Sequence, residues 1–350
     1  MTLFNHAPRS LCILRLSALG DVCNTIATIQ AIQRQWPETA ITWITSKLEA
    51  QLLTAIDGVE VIVFDKKQGL KGYLALWKTL KGREFDALLH MQYAIRASIA
   101  TLGIRAKYKL GFAADRSQDF QTLFTNVKVP SPRSLHVADG LAAFADTLGV
   151  KPKPLNWSLC YGSEDKTWAN SYIDSTMPTL LLVPGASKAY KNWTATGYVA
   201  VINHARSKGW QVILAGSPAP VERDLADAIQ SQLITPCLDL VGQSRLLQML
   251  ALIDNVQMVI APDTGPTHMA SALRIPVIGL YAHHNPARVG PYHYLDYVVS
   301  VYEQTITQET GKPLSALEWR TRAKNPQAMN AIQPTQVIEM FDRVAEDFSL

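Results

Sequence analysis

What this chain of 350 residues has little of narrows its class first. It has only four cysteines, at positions 12, 23, 160 and 237, and no two are spaced as a CxxC pair or a zinc-ligand set. That excludes a disulfide-stapled scaffold and a zinc finger. A reducing compartment is expected, with the cysteines as small core residues. No run of about 18 apolar residues occurs, so no transmembrane helix is predicted. The early run LCILRLSAL is short for a secretory leader and is interrupted by Arg15. There is no long block of like charge, no low-complexity tract and no evident repeat. GxGxxG is missing, which argues against a nicotinamide enzyme, and GxxxxGK[ST] is missing, which argues against a P-loop NTPase. No Asp-x-Asp follows a predicted strand, so neither a metal nor a cofactor is expected.

What is present is ordinary for a globular protein, 48% hydrophobic and 18% charged. The length suggests two domains. The net charge of +4 is uneven: residues 1–150 carry 17 Lys/Arg against 12 Asp/Glu, or +5, and residues 151–350 carry 16 against 17, or −1. The excess is densest from Lys66 to Arg83, with Lys67, Lys71, Lys78 and Lys81 between. Such asymmetry points the first half towards an anionic partner, and a solvated helix face is the plain alternative.

Strands and helices alternate along the first half. LCILRLS, AITWIT, VEVIVFD and FDALLHM read as strands. DVCNTIATIQAIQRQW reads as a helix stopped by Pro37, and GLKGYLALWKTLKG as a helix with Leu70, Leu74 and Trp77 on one face. AIRASIATLG and LHVADGLAAFADTLG are further helices, the latter with Gly149 as a cap past its end. VKPKPLNW, with two prolines in three residues, marks a junction, after which the alternation restarts with TLLLVPG and runs to PVIGLYA. The fold class is therefore α/β, with two doubly wound parallel sheets. The expected domains are 1–155 and 156–333, with a last helix over 334–350 packing back on the first domain. Ligands of such sheets bind past the carboxyl ends of the strands, and two facing domains of this kind place a substrate in the cleft between them.

Four strand ends carry polar groups. In RLSALGDV, Gly20 permits a tight turn and Asp21 is either a helix N-cap or a reactive carboxylate. In VPGASKAYKNW, Ser187 and Lys191 suit a phosphate, or decorate a surface turn. In AGSPAPVERD, Glu222 either favours the dipole of the helix it opens or binds ribose hydroxyls. In APDTGPTHMA, Asp263, Thr264, Gly265 and His268 gather where a buried strand ends and a helix begins. Caps and a structural histidine explain them in one reading, a diphosphate site in the other.

RLSALGDV, PGASKAYKNW and APDTGPTHMASAL, in that order and spacing, resemble the bacterial heptosyltransferases of glycosyltransferase family nine, over about residues 11–290. Within that family the chain is most similar to the type that adds the first L-glycero-D-manno-heptose to the Kdo of the lipopolysaccharide inner core. The resemblance implies a GT-B fold, with acceptor on the first Rossmann-like domain and nucleotide sugar on the second. It implies Asp21 as general base, and Gly20, Ser187, Lys191, Glu222, Asp263, Thr264, Gly265 and His268 on the donor side. It also implies His136, in SLHVADG, near the acceptor sugar. Two positions depart from relatives, Ala186 where some have a hydroxyl and Asn24 where many have histidine. The implied partners are ADP-heptose and Kdo-lipid A, with no nucleic acid. Lys66, Lys67 and Lys71 would meet that anionic acceptor and the anionic inner leaflet, in a cytoplasmic protein peripheral to the inner membrane. A nucleotide-sugar 2-epimerase, a non-catalytic nucleotide-sugar binder and a transferase for a later core sugar are the rivals.

Overall fold

The computed structural model describes residues 2–151 and 153–350. The chain divides into two compact units, Met1–Cys160 and Tyr161–Leu350. The division falls slightly later than position 155, because residues just past the junction are tied into the first unit. Trp157 is buried and donates Nε1–H to the Cys23 carbonyl at 2.8 Å, and Cys160 donates its N–H to the Ala55 carbonyl at 2.9 Å. Pro152, one of the two junction prolines, lies outside the described residues. Cys12, Cys23 and Cys237 are buried as expected, whereas Cys160 is exposed.

In the first unit the chain runs β1 (Ser10–Leu14), α1 (Leu19–Gln35), β2 (Ala40–Thr45), α2 (Lys47–Leu53), β3 (Val59–Val63), α3 (Leu70–Thr79), β4 (Glu84–His90), α4 (Ile95–Ala100), β5 (Arg105–Phe112), β6 (Val127–Val129) and α5 (Val137–Leu148). The strands form one all-parallel sheet in the order β3-β2-β1-β4-β5-β6. Helices cover both faces, so the central strands read as continuous apolar runs, Leu11 to Leu14 being fully buried. Gly149 closes α5 at φ 116°, the left-handed cap its position predicts.

Two elements of this unit depart from expectation. Strand β5 was hidden by Arg105, Lys107 and Lys109. Its pairing with β6 begins only at Leu110 with Val127, so its first half has the character of a sheet edge and carries charge. In α3, Leu70 and Leu74 are 69% and 54% exposed. The helix instead buries Gly72 and Leu76, while Tyr73 packs on Phe64 with ring centroids 5.0 Å apart and Trp77 donates to the Ala100 carbonyl at 3.0 Å. A 3.6-residue period allowed either face, and the aromatic contacts select the second.

The second unit runs α6 (Ser163–Asn170), β7 (Thr179–Leu182), α7 (Ala195–Ser207), β8 (Gln211–Gly216), α8 (Pro220–Gln230), β9 (Leu238–Val241), α9 (Leu246–Asp254), β10 (Met258–Pro262), α10 (Gly265–Ala272), β11 (Val277–Tyr281), α11 (Pro286–Val289), β12 (Val298–Ser300), α12 (Tyr302–Thr310) and α13 (Pro334–Asp347). Its parallel sheet is ordered β12-β11-β10-β7-β8-β9. Counted within the unit, this is the same winding as the first sheet. In each, the chain reverses direction across the sheet between the first and fourth strands, β1 and β4 or β7 and β10, and that crevice is where such folds bind ligands.

The last helix corrects an expectation. Helix α13, expected to pack back on the first domain, packs against α7, β11 and β12 of the second unit. Val337, Phe341 and Val344 are buried in that unit's core, and Phe341 meets Trp210 edge-on at 5.0 Å. Those three residues recur every three or four positions and make the apolar stripe of an otherwise polar helix. No helix among the described residues is long and apolar enough to cross a membrane.

Candidate active site

At the carboxyl edge of the first sheet, β1 leads through Arg15–Ala18 into α1. The N-cap position belongs to Ala18, so Asp21 is not the cap but the third helical residue, its Oδ2 accepting the Ala18 N–H at 3.3 Å. Gly20 lies beside it inside the first helical turn, with no left-handed backbone to require a glycine. The same Asp21 oxygen meets Arg15 Nη2 at 2.5 Å. Arg15 is almost wholly buried, with a side chain 2% exposed, whereas that of Asp21 is 33% exposed. The guanidinium also donates to the Met91 carbonyl and lies over the Tyr93 ring, 5.8 Å from its centroid. Gln92 Oε1 accepts the N–H groups of Leu16 and Ser17 and fixes the loop between them. A buried cation thus orients a carboxylate that still reaches solvent, the accessibility a proton acceptor needs.

Arg15 is the residue of this unit's site that the sequence analysis did not single out. Its signal was present in the sequence as the one charge inside an apolar strand-end run. Behind it, buried His90 holds Ser98 Oγ at 3.0 Å from Nε2. Burial, and then the positive charges of Arg15 and Lys109, push the pKa of His90 down to about 3, so the ring is neutral near pH 7.

The residues expected on the acceptor side take plainer positions. His136 is buried and caps α5, its Nδ1 accepting the Ala138 N–H at 3.1 Å. Lys66 and Lys67 sit in a short turn capped by Asp65, whose Oδ1 accepts the Lys67 N–H at 2.9 Å, and Lys71 lies in the first turn of α3. All three lysines are exposed.

In the second unit the chemistry converges at the switch point. Lys191, in the loop after β7, places Nζ 2.7 Å from Asp263 Oδ2 and 3.3 Å from the Asp263 carbonyl, just past β10. His284, past β11, donates Nδ1–H to the same Oδ2 at 2.6 Å, and His268 Nε2 stands 4.0 Å from Oδ1. Burial would raise the pKa of Asp263. The His284 hydrogen bond and the Lys191 charge outweigh it and hold the carboxyl well below the ordinary range. Thr264 occupies the N-cap position of α10 without a side-chain cap bond, and Gly265 is the first helical residue. Asp263, expected as a possible cap, is instead committed to Lys191 and His284. The first-turn N–H groups of α10, which have no intrahelical acceptor, stand directly after Asp263 in the chain. A cation, a helix N-terminus and two imidazoles gathered there suit an anion. Lys191, Asp263, Tyr281, His283, His284 and Met329 line one small cavity.

The neighbouring strand ends are shaped around Glu222. Its Oε2 accepts the Ser217 N–H at 2.8 Å and its Oε1 accepts the Ser217 hydroxyl at 2.5 Å, and the side chain is buried in the first turn of α8. A Cβ on Gly185 would stand 2.5 Å from Glu222 Cγ, so only glycine admits this close approach after β7. Ser187 is exposed in the same loop, which Asn192 closes by accepting the Ala186 N–H at 2.8 Å. His284 was missed, although it follows a strand end in AHHN and the rule that singled out the other four sites applies to it equally.

Comparison with known proteins gives the family. The model of glycosyltransferase family 9 (heptosyltransferase) matches residues 73–318. The chain is 46% identical over 338 residues to the lipopolysaccharide core heptosyltransferase OpsX of Haemophilus influenzae, covering 97% of each chain. Among solved structures, a family 9 glycosyltransferase from Veillonella parvula aligns at TM-score 0.79 with 19% identity, covering 97% of both chains. The Escherichia coli heptosyltransferase WaaC with ADP aligns at TM-score 0.73 with 16% identity, covering 96% of this chain and all of that one. Two like-wound Rossmann-type sheets with polar groups at their switch points define the GT-B class. More narrowly, the chain belongs to glycosyltransferase family 9 and is a glycosyltransferase.

Proposed function

We propose that this enzyme moves L-glycero-D-manno-heptose from ADP-heptose to the Kdo of a lipid A-linked lipopolysaccharide inner core. The observation that carries the reading is the polar cluster at the second switch point, where Lys191 and His284 converge on the Asp263 carboxylate beside the N-terminus of α10. The full-length likeness to a lipopolysaccharide core heptosyltransferase supports the sugar and the acceptor class.

The chemistry is a single displacement. The acceptor hydroxyl oxygen bonds to the anomeric carbon as the bond from that carbon to the diphosphate oxygen breaks. The hydroxyl proton passes to Asp21, and the electron pair leaves on the nucleoside diphosphate, so the anomeric centre inverts. Lys191 and the first-turn N–H groups of α10 stabilise the charge that develops on the diphosphate. Ser187 adds a hydroxyl to the phosphates, and Glu222 offers carboxylate oxygens to ribose. On the acceptor side, Lys66, Lys67 and Lys71 meet phosphate and carboxylate groups. Three cations at the N-terminal end of α3 oppose the helix dipole, so helix stability does not account for them. The enzyme works on the cytoplasmic face of the inner membrane, bound to its anionic leaflet.

The test is incubation with ADP-heptose and Kdo-lipid A, read by mass spectrometry. The expected product is the acceptor plus one heptose, with ADP released only when acceptor is present. Conversion of ADP-heptose to an isomer of the same mass without acceptor would support the epimerase rival, and transfer only to an acceptor already bearing heptose would move the enzyme to a later core sugar.

A further inference from the structure

Among the large apolar side chains of the first unit, several are exposed, and their placement is not random. Phe120 and Leu123 are 74% and 78% exposed, Leu70 and Leu74 are 69% and 54%, and Ile95 is 38%. Phe120 and Leu123 follow β5, Leu70 opens α3 after β3, and Ile95 opens α4 after β4. In a parallel sheet these starting points share the carboxyl edge, and Asp21, after β1, is on that edge too. The segments also touch one another: Tyr73 of α3 donates its hydroxyl to the Arg96 carbonyl of α4 at 3.1 Å, and Asp119 Oδ2 accepts the Ile95 N–H at 3.3 Å.

The loop carrying Phe120 is built to display it. Asp119 and Phe120 hold consecutive left-handed conformations, φ 49° and 59°, which side-chain-bearing residues rarely adopt. Gln121 anchors the loop from a fully buried position, donating Nε2–H to the carbonyls of His90 at 2.8 Å and Gln92 at 3.0 Å and accepting the Phe112 N–H at 3.1 Å. Buried polar anchoring beneath two solvent-facing apolar side chains leaves burial of those side chains to a partner. Four of the polar groups between them are cations, and two are carboxylates bound to backbone, Asp65 accepting the Lys67 N–H at 2.9 Å and Asp119 the Ile95 N–H. Lys66, Lys67, Lys71 and Arg96 are exposed, and none of the ion pairs between described residues uses them.

We propose that this rim is a bilayer-docking surface: Phe120 and Leu123, with Ile95, Leu70 and Leu74, enter the acyl boundary of a membrane while Lys66, Lys67, Lys71 and Arg96 bind its anionic headgroups. Apolar side chains interspersed with unpaired cations fit an anionic lipid surface. The edge that carries Asp21 then faces the membrane plane, where a lipid-linked acceptor presents its sugar. The inference deepens the reading of a lipid-linked acceptor given above and names the residues that hold the enzyme to its surface.

The experiment is sedimentation of the full-length protein with vesicles of phosphatidylethanolamine and phosphatidylglycerol, with phosphatidylcholine vesicles as control. The wild type should bind the anionic vesicles, and Phe120→Ser combined with Leu123→Ser should weaken that binding by at least about tenfold, since both side chains lose their apolar transfer. The variant should keep its thermal midpoint, because both positions are exposed, and keep its transfer rate to a deacylated acceptor. Equal vesicle binding by variant and wild type overturns the proposal, as does a wild type that binds neither vesicle. A wild-type dimer in lipid-free sedimentation that the double substitution dissociates overturns it too, by making a second copy of the chain the occupant. Vesicle binding is read without any sugar transfer, so an enzyme that binds lipid but transfers no heptose refutes the acceptor reading alone.

Discussion

Asp21 does two jobs through one carboxylate. It is the partner of a buried arginine and the group proposed to take the acceptor proton. Asp21→Asn should therefore lower turnover by about 100-fold or more, the usual scale for a general base. It should also lower stability by about 1–3 kcal/mol, because Arg15 stays buried with a neutral amide as its partner. Steady-state kinetics and a thermal melt on the same preparation check both, and near-normal turnover removes Asp21 from the mechanism. Lys191→Ala should weaken donor binding by about 1.5–3 kcal/mol, tenfold or more in dissociation constant, the scale of a charge-assisted hydrogen bond. Calorimetric titration with ADP measures it, and an unchanged constant returns Lys191 to the role of a brace for Asp263. His90 makes a pH prediction. Its folded pKa is about 3 against 6.5 for the free side chain. Below pH 6.5 the unfolded chain takes up a proton that the folded chain refuses, so stability falls as pH drops from about 6.5 towards 3, by at most about 1.4 kcal/mol per pH unit. His90→Leu should remove that part of the slope in denaturant titrations across the window; an unaltered slope assigns it to other groups.

Elements, more than single residues, decide where these groups stand. Both candidate regions are built from strand ends at a switch point, and each strand end is held by a loop contact: Gln92 on Leu16 and Ser17, and Asn192 on Ala186. Helix α13 shows how far an element can be legible and still be misassigned. Its apolar period was readable, but a stripe of Val337, Phe341 and Val344 fits any complementary core, and only the packing of α7 and β11 chose one. Phe341→Ala should cost about 3–5 kcal/mol, the range for emptying a buried aromatic site. Equilibrium unfolding by denaturant checks it, and a loss below about 1 kcal/mol would mean that the helix is peripheral to the core.

Across the whole molecule, charge is divided as well as fold. The +5 balance of residues 1–150 and the −1 of the remainder match the proposed division between an anionic acceptor and a donor held by specific contacts. Replacing Lys66, Lys67 and Lys71 together with Gln should raise the Michaelis constant for the lipid acceptor and leave donor affinity alone. The effect should shrink with added salt, because screening shortens to about 8 Å near physiological ionic strength. Kinetic titrations of each substrate at low and high salt separate the outcomes, and an unchanged acceptor constant at low salt makes these lysines a solvated surface.

The sequence by itself determined the class and most of the order. Continuous apolar strands separated by helices require parallel sheets covered on both faces. Polar residues just past strand ends mark where such sheets do chemistry, so Asp21, Lys191, Glu222 and Asp263 were visible as candidates. Strands β5 and β6 were not, because residues on a sheet's margin carry charge and lose the apolar signature. Tertiary structure alone decided the pairings. Arg15 reads as an interruption until burial forces it onto Asp21, and His284 reads as a loop histidine until three strand ends bring it, Lys191 and Asp263 together. The choice of buried face in α3 also lay beyond the chain's own pattern. Leucines at 70 and 74 fit the helical period as well as Tyr73 and Leu76 do, and the neighbours that Tyr73 and Trp77 found left those two leucines in solvent.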